Sequence, residues 1–243
     1  MERIESLDDL FNIALVNKRF YMIFKVRELY MIKNALFKMS PPAWELREMS
    51  PPWETEWATL DSRVPEYTPT TYLNRYATDI YTLARLKSMI LVRCSPFLRR
   101  DTIRGLSGVD PIRLEEVDDA FWRIWTFCRI FGSGKGREDD LEWQVDWLKG
   151  GTKARNRTGA VSTMIEPFGI NDVLFEPPEG FARGNHDGLS QKQMYDMTEI
   201  WNCLAVLLQP IHAKCADARA VGIFDRMDIA VGDAAREQSA LGK

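Results

Sequence analysis

Apolar residues recur at three- and four-residue intervals along most of this chain; the amino-terminal segment shows none of the two-residue alternation of a half-buried strand, and Asn171 to Glu176 is a candidate short extended piece. Leu7, Leu10, Phe11, Ala14, Leu15, Phe20 and Phe24 trace the first such pattern, with Ser6 placed to cap it and Asp8 and Asp9 in its first turn. A second runs from Leu29 to Met39 through Ile32, Ala35 and Leu36. The longest predicts a helix from Thr70 to Arg93, packed through Leu73, Tyr76, Ala77, Ile80, Leu83, Ala84, Lys87, Ile90 and Leu91, with Pro96 ending it. From Glu115 to Phe131, Phe121, Trp122, Ile124, Trp125, Phe127, Cys128, Ile130 and Phe131 cover nearly every direction. A helix apolar all round is buried, so this segment is the expected centre of the core.

Two more helices follow. Glu138 to Leu148 carries Leu141, Val145 and Leu148 on one face and Trp143 and Trp147 on another, and Gly150-Gly151 should close it. Leu189-Ser190 opens a helix to Gln209, with a stripe of Met194, Met197, Ile200, Trp201, Leu204, Ala205 and Leu208 that Pro210 ends. A further helix is expected over Ile211 to Ala220, then a polar, fraying tail from Asp225.

Punctuation between the helices is as informative. Met39-Ser40-Pro41-Pro42-Ala43-Trp44-Glu45 is echoed by Met49-Ser50-Pro51-Pro52-Trp53-Glu54, and each copy predicts a short helical turn pinned by its tryptophan. Asp61 to Pro69 reads as a loop, and Arg104-Gly105 to Asp110-Pro111 as a turn region. Residues 152–190 lack any period, a length that marks a functional surface more often than a plain connection. The expectation is an all-α, irregular multi-helix bundle. It comprises a helical segment over residues 1–40, a Pro/Trp-rich connector over 41–66 and a helical body over 67–243, either separate or as one continuous domain.

Composition narrows the function classes. A net charge of −3 over 243 residues argues against general nucleic-acid binding. No apolar run approaches the roughly 20 residues of a membrane helix. The start, Met1-Glu2-Arg3 followed by Asp8 and Asp9, lacks a signal-peptide core, which predicts a cytoplasmic or nuclear setting. Cys94, Cys128, Cys203 and Cys215 are scattered, mostly in apolar patterns, and read as reduced core thiols.

Candidate chemistry is sparse. Gly132-Ser133-Gly134-Lys135-Gly136 lacks the first glycine, the Ser or Thr after the lysine and the preceding strand of a phosphate loop. His212 and Cys215 are too few for a zinc site. Glu138, Asp139 and Asp140 suit a helix start better than a metal. Lys149, Lys153, Arg155 and Arg157 form an acid-free run that reads as a solvated loop. An enzyme would need a pocket of convergent polar groups, with His186 and Asp187 the nearest candidates. No catalytic residue, cofactor or metal ligand is expected.

The string Ser6-Leu7-Asp8-Asp9-Leu10-Phe11-Asn12-Ile13-Ala14-Leu15-Val16-Asn17-Lys18-Arg19-Phe20-Tyr21 resembles the second half of an F-box. The segments 43–50, 121–132 and 171–178 look like those of a filamentous-fungal F-box family, so the resemblance spans most of the chain. The LP-x-E-[LI]-L-like first half of the motif has no counterpart, which gives the expectation of a truncated F-box. The resemblance implies a substrate-recruiting adaptor, docked to the Skp-type adaptor of a cullin-based (SCF) ubiquitin ligase and holding an unknown protein substrate. Leu7, Leu10, Val16, Phe20 and Phe24 match its hydrophobic positions, some packing inside and some facing the adaptor. The alternative is a non-catalytic interaction scaffold that has lost ligase docking. An exposed apolar groove along Leu7 to Phe24 would favour the first, and the same face packed away the second.

Overall fold

A computed structural model describes residues 6–50, 66–132, 137, 139–155 and 181–212, together with 214, 217 and 220. Every regular element among them is helical, so the fold is all-α and multi-helical, as the periodicity predicts. The chain divides into two compact units. One comprises Met1–Leu83 and Asp118–Gln193, the other Ala84–Val117 and Met194–Lys243.

The first unit opens with three short helices, α1 (Leu7–Val16), α2 (Lys18–Val26) and α3 (Glu28–Met39). Ser40 then caps α4 (Pro41–Glu48): its hydroxyl accepts the Ala43 N–H at 3.2 Å, and Pro41 and Pro42 fill the first turn, where a missing N–H costs nothing. The first Ser-Pro-Pro element is thus a full helix, longer than the turn expected. Its echo at Pro51 to Glu54 lies outside the described residues. Helix α5 (Pro69–Cys94) contributes its first part, where Tyr72, Tyr76, Asp79 and Leu83 are buried. Asp79 meets the buried Arg47 at 2.8 Å.

Helix α7 (Pro111–Phe131) supplies Ala120, Phe121, Trp122, Ile124, Ile130 and Phe131 to the buried set, as its all-round apolar pattern predicts. Ile130 and Phe131 join Trp147 of α8 (Leu141–Leu148), Ala154, Phe181 and Ala182 in one cluster. The Glu45 carboxylate of α4 is buried beside it. It accepts hydrogen bonds from Trp147 Nε1 (3.2 Å) and from the backbone N–H groups of Ala182 and Gly184 (both 2.9 Å).

Helix α8 ends at Leu148 and is closed by Gly150 and Gly151, as expected. The Gly151 N–H reaches Asp146 O at 2.8 Å and the Gly150 N–H reaches Trp147 O at 3.0 Å, with Gly150 at φ +76°. A Cβ on Gly150 would stand 2.5 Å from Asn185 O, a backbone atom that cannot swing aside. Gly150→Ala is therefore expected to cost at least about 1–2 kcal/mol, the penalty of the left-handed conformation alone, measured as a lowered urea midpoint.

In the second unit, α5 continues from Ala84, followed by α6 (Arg100–Leu106), α7 as far as Val117 and α9 (Gln191–His212) from Met194. Ile90, Cys94, Leu98, Leu106, Val117, Met197, Ile200, Cys203 and Leu207 are its buried apolar residues. The Cys94 thiol points at Cys203 O, 3.9 Å away. Burial above all, then the neighbouring Cys94, pushes the Cys203 thiol up to about 12, which keeps it protonated and inert. Both are free thiols within the core, as expected. Cys128 is free but exposed, against expectation, because it lies on the outward side of α7. Cys215 lies outside the described residues.

Several boundaries and faces differ from the periodicity, each for a local reason. Arg104-Gly105 belongs to α6, and the turn begins only at Ser107-Gly108, with Gly108 at φ +73°. Helix α7 starts at Pro111, not Glu115, because Asp110 Oδ1 caps the Arg113 N–H at 3.1 Å and proline suits a first turn. Helix α8 starts at Leu141, not Glu138, and its buried residue is Trp147, while Leu141 and Val145 face outward. Pro210 lies inside the last turn of α9 rather than ending it. The buried line of α9 runs through Asp196, Ile200, Cys203 and Leu207, leaving Met194, Trp201 and Ala205 exposed. An acid can sit on that line because it is paired there.

Candidate protein-interaction surface

The amino-terminal helices are set by two caps. Ser6 Oγ accepts the Asp9 N–H at 3.1 Å and starts α1, with Asp8 and Asp9 favourably placed in the first turn. Asn17 is extended (φ −159°), and its Oδ1 accepts the Phe20 N–H at 3.0 Å. That one residue stops α1 and starts α2, so a stretch that reads as one amphipathic helix folds as two. Arg27 makes the next break before α3, at φ −130° and without a side-chain cap; its N–H closes α2 on Phe24 O.

The bend turns a single face into an inside and an outside. Leu10, Ala14 and Phe24 are buried, and the Phe24 ring meets Phe11 edge-on with centroids 6.0 Å apart. Met31, Ile32, Ala35 and Leu36 of α3 are buried too, and α3 contacts α1, α2 and α4. Outside, every residue from Leu15 to Arg27 is exposed except Phe24. Leu15 is 76% exposed, Val16 67% and Val26 79%, and Phe20, Tyr21, Met22 and Ile23 lie between them. The four charges in this stretch, Lys18, Arg19, Lys25 and Arg27, are all positive. Lys25 Nζ bonds Glu28 at 2.6 Å and lies 6.0 Å from the Tyr21 ring centre. That hydrogen bond outweighs the slight desolvation of Lys25 and raises its ammonium above the ordinary lysine range.

The five residues matched by the F-box resemblance fall on two sides of this bend. Leu10 and Phe24 point inward, Leu7 is half-buried, and Val16 and Phe20 face solvent. Periodicity also missed Leu15, which it placed on the packed line, and passed over Tyr21, Met22, Ile23 and Val26. The available signal was Asn17, a good cap one residue after an apolar run.

Other candidates are less developed. His186 and Asp187 face solvent and pair with each other at 2.8 Å. Leu141, Glu142, Val145, Asp146, Lys149 and Lys153 line an open hollow of about 350 Å³. Lys153 and Glu142 close on each other across it at 2.8 Å, and Lys149 and Lys153, two members of the basic run expected to be solvated, are exposed. Among the described residues no cluster of three or more His, Cys, Asp or Glu could hold a metal ion, and no helix is long and apolar enough to cross a membrane.

No family model, curated protein or solved structure matches the chain. The α1–α2 surface is thus characterised by its own chemistry. Seven large apolar side chains stand exposed within twelve consecutive residues, Leu15 to Val26. Apolar area exposed in this density makes the stretch the candidate interaction surface, since covering it recovers about 25 cal/mol for each Å² removed from water.

Proposed function

We propose that this chain is a protein-interaction subunit whose α1–α2 surface docks a Skp-type adaptor, in the manner of F-box proteins. The rest of the chain would then recruit a protein substrate to a cullin-based ubiquitin ligase. The observation that carries the reading is the exposed apolar surface from Leu15 to Val26, which overlaps the stretch resembling an F-box and includes two of its matched residues, Val16 and Phe20.

The test follows from which residues face where. Val16→Asp and Val26→Asp change side chains that are 67% and 79% exposed, so folding should survive. Adaptor binding by isothermal titration should weaken at least tenfold, or about 1.4 kcal/mol, with thermal melting unchanged. Leu10→Asp would put a charge in a site 1% exposed and is expected to unfold the helices, so its loss of binding would say nothing about docking. Folded wild-type chain that fails to bind the adaptor would end the ligase reading. The scaffold reading would then take its place, and it has one observation in its favour. Leu10 and Phe24, two of the five matched residues, are used up in packing α1 and α2 together and onto α3.

A further inference from the structure

The charges on α2 say more about the occupant of this surface than its apolar area does. Between Leu15 and Arg27 there are four cations and no acid, in a chain whose net charge is −3, and Lys25 is already paired with the adjoining Glu28. These cations are not set apart from the apolar residues. Lys18 and Lys25 are seven positions apart and lie one above the other on the helix, and Tyr21 and Met22, three and four positions after Lys18, fill the space between them. Val26 and Arg19 are also seven apart and share a neighbouring stripe.

That interleaving separates two kinds of partner. A helix lying on a bilayer segregates its charges from its apolar face, so that one side sinks into the acyl boundary while the other stays wet. On α2, burying Tyr21 and Met22 in lipid would carry Lys18 and Lys25 in with them. A protein groove has no such constraint, because carboxylates can be placed beside apolar pockets.

We infer that α2 docks into an apolar groove on a partner protein whose rim carries carboxylates facing Lys18 and Arg19. This rests on the docking reading above and specifies the chemistry of the surface the partner presents. The apolar side chains hold the complex and the basic pair sets its approach and register, since rim charges act mainly on encounter and salt dependence.

The experiment uses the full chain and a purified Skp-type adaptor, titrated at about 50 mM and about 500 mM NaCl, a range over which the screening length shortens from beyond 10 Å to below 8 Å. Lys18→Glu/Arg19→Glu and Lys18→Gln/Arg19→Gln are compared with wild type. Both residues are exposed, and circular dichroism checks that the helices persist. The expected result is binding that weakens at least tenfold with salt, falls further on charge reversal, and falls by an intermediate factor on neutralisation. Adaptor binding indifferent to salt and to both variants would overturn the acidic rim while leaving the docking reading in place. Tight binding to phosphatidylserine-containing vesicles, lost in the same variants, would overturn it in favour of a lipid surface. Absence of adaptor binding at either salt concentration would bring down the ligase reading, and this inference with it.

Discussion

Replacing Asp196 by alanine is expected to destabilise the protein by roughly 3 kcal/mol, the lower end of the cost of removing one partner from a buried ion pair. Asp196 is 2% exposed and holds the Arg113 guanidinium in a two-pronged grip, with Nη1 donating to Oδ2 and Nη2 to Oδ1, both at 2.6 Å. Arg99 Nη2 donates to the same Oδ1 at 2.5 Å and also to Glu199 at 2.7 Å, and Thr102 Oγ1 completes the set by donating to Glu199 at 2.7 Å. Truncation at Asp196 would remove both of the shortest contacts of Arg113, only 5% exposed, and leave it the half-buried Glu116 at 2.9 Å and the exposed Asp101 at 3.1 Å. Arg113→Met/Asp196→Leu, by contrast, removes both charges together and fills the space. It is expected to fall within about 1 kcal/mol of wild type or above it, because a buried pair seldom outperforms apolar packing of similar volume. A double substitution as damaging as the single one would refute this account of the site. The same group sets an acid limit. Burial pushes the Asp196 carboxyl up, but Arg113 and Arg99 more than reverse it, so it titrates below the ordinary aspartate range. A depressed folded value means that its stabilisation is present above the unfolded value near pH 4 and is lost as pH falls through the folded one. Asp196→Asn should lose that acid limb in urea titrations carried out below about pH 4.

This network also shows why the fold was legible in part. Helix existence follows from apolar period and capping residues, both local, and α3, α5, α7 and α9 lie close to where the pattern puts them. Which face is buried is a different question. On α5 the buried line includes Asp79, and on α9 it includes Asp196. Hydropathy places both outside, and it is wrong at each because an arginine from a distant segment, Arg47 or Arg113, meets the acid. No local pattern encodes such a pairing. The candidate surface failed for the opposite reason. The three- and four-residue spacings hold from Leu7 to Leu15 and again from Phe20 to Phe24, and Asn17 breaks the helix between the two runs. A single cap thus decides which apolar residues become core and which stand exposed for a partner.

Glu45 is where a second prediction of large effect arises, and it concerns a carboxylate in a site that disfavours charge. The side chain is 1% exposed, and its three hydrogen bonds tie α4 to Trp147 and to the turn at Ala182–Gly184. Ala182 stands at φ +63°, a left-handed conformation that this anchorage holds in place. A Cβ on Gly184 would stand 2.5 Å from Glu45 Oε2, so glycine there is what lets the carboxylate approach the backbone. Glu45→Ala orphans three buried N–H groups and opens a cavity among them, and is expected to cost roughly 3 kcal/mol or more. Glu45→Gln keeps the volume but offers only one accepting oxygen, for a loss of roughly 1–3 kcal/mol. The pH dependence of the Gln variant is the sharper measurement. Burial raises the Glu45 carboxyl above the ordinary range, and the Trp147, Ala182 and Gly184 donors and Arg123 recover only part of that shift. A folded value above the unfolded one gives stability that is fully present below the unfolded value and withdrawn as pH rises through the folded value. Glutamine cannot ionise, so the stability gap between wild type and Glu45→Gln should be widest in acid and narrow as pH rises towards 8. Asp196 and Glu199 titrate in both proteins and drop out of the difference. A gap that widens with pH would mean that the three donors and Arg123 outweigh burial, and that the turn is held by a carboxylate welcome in its site.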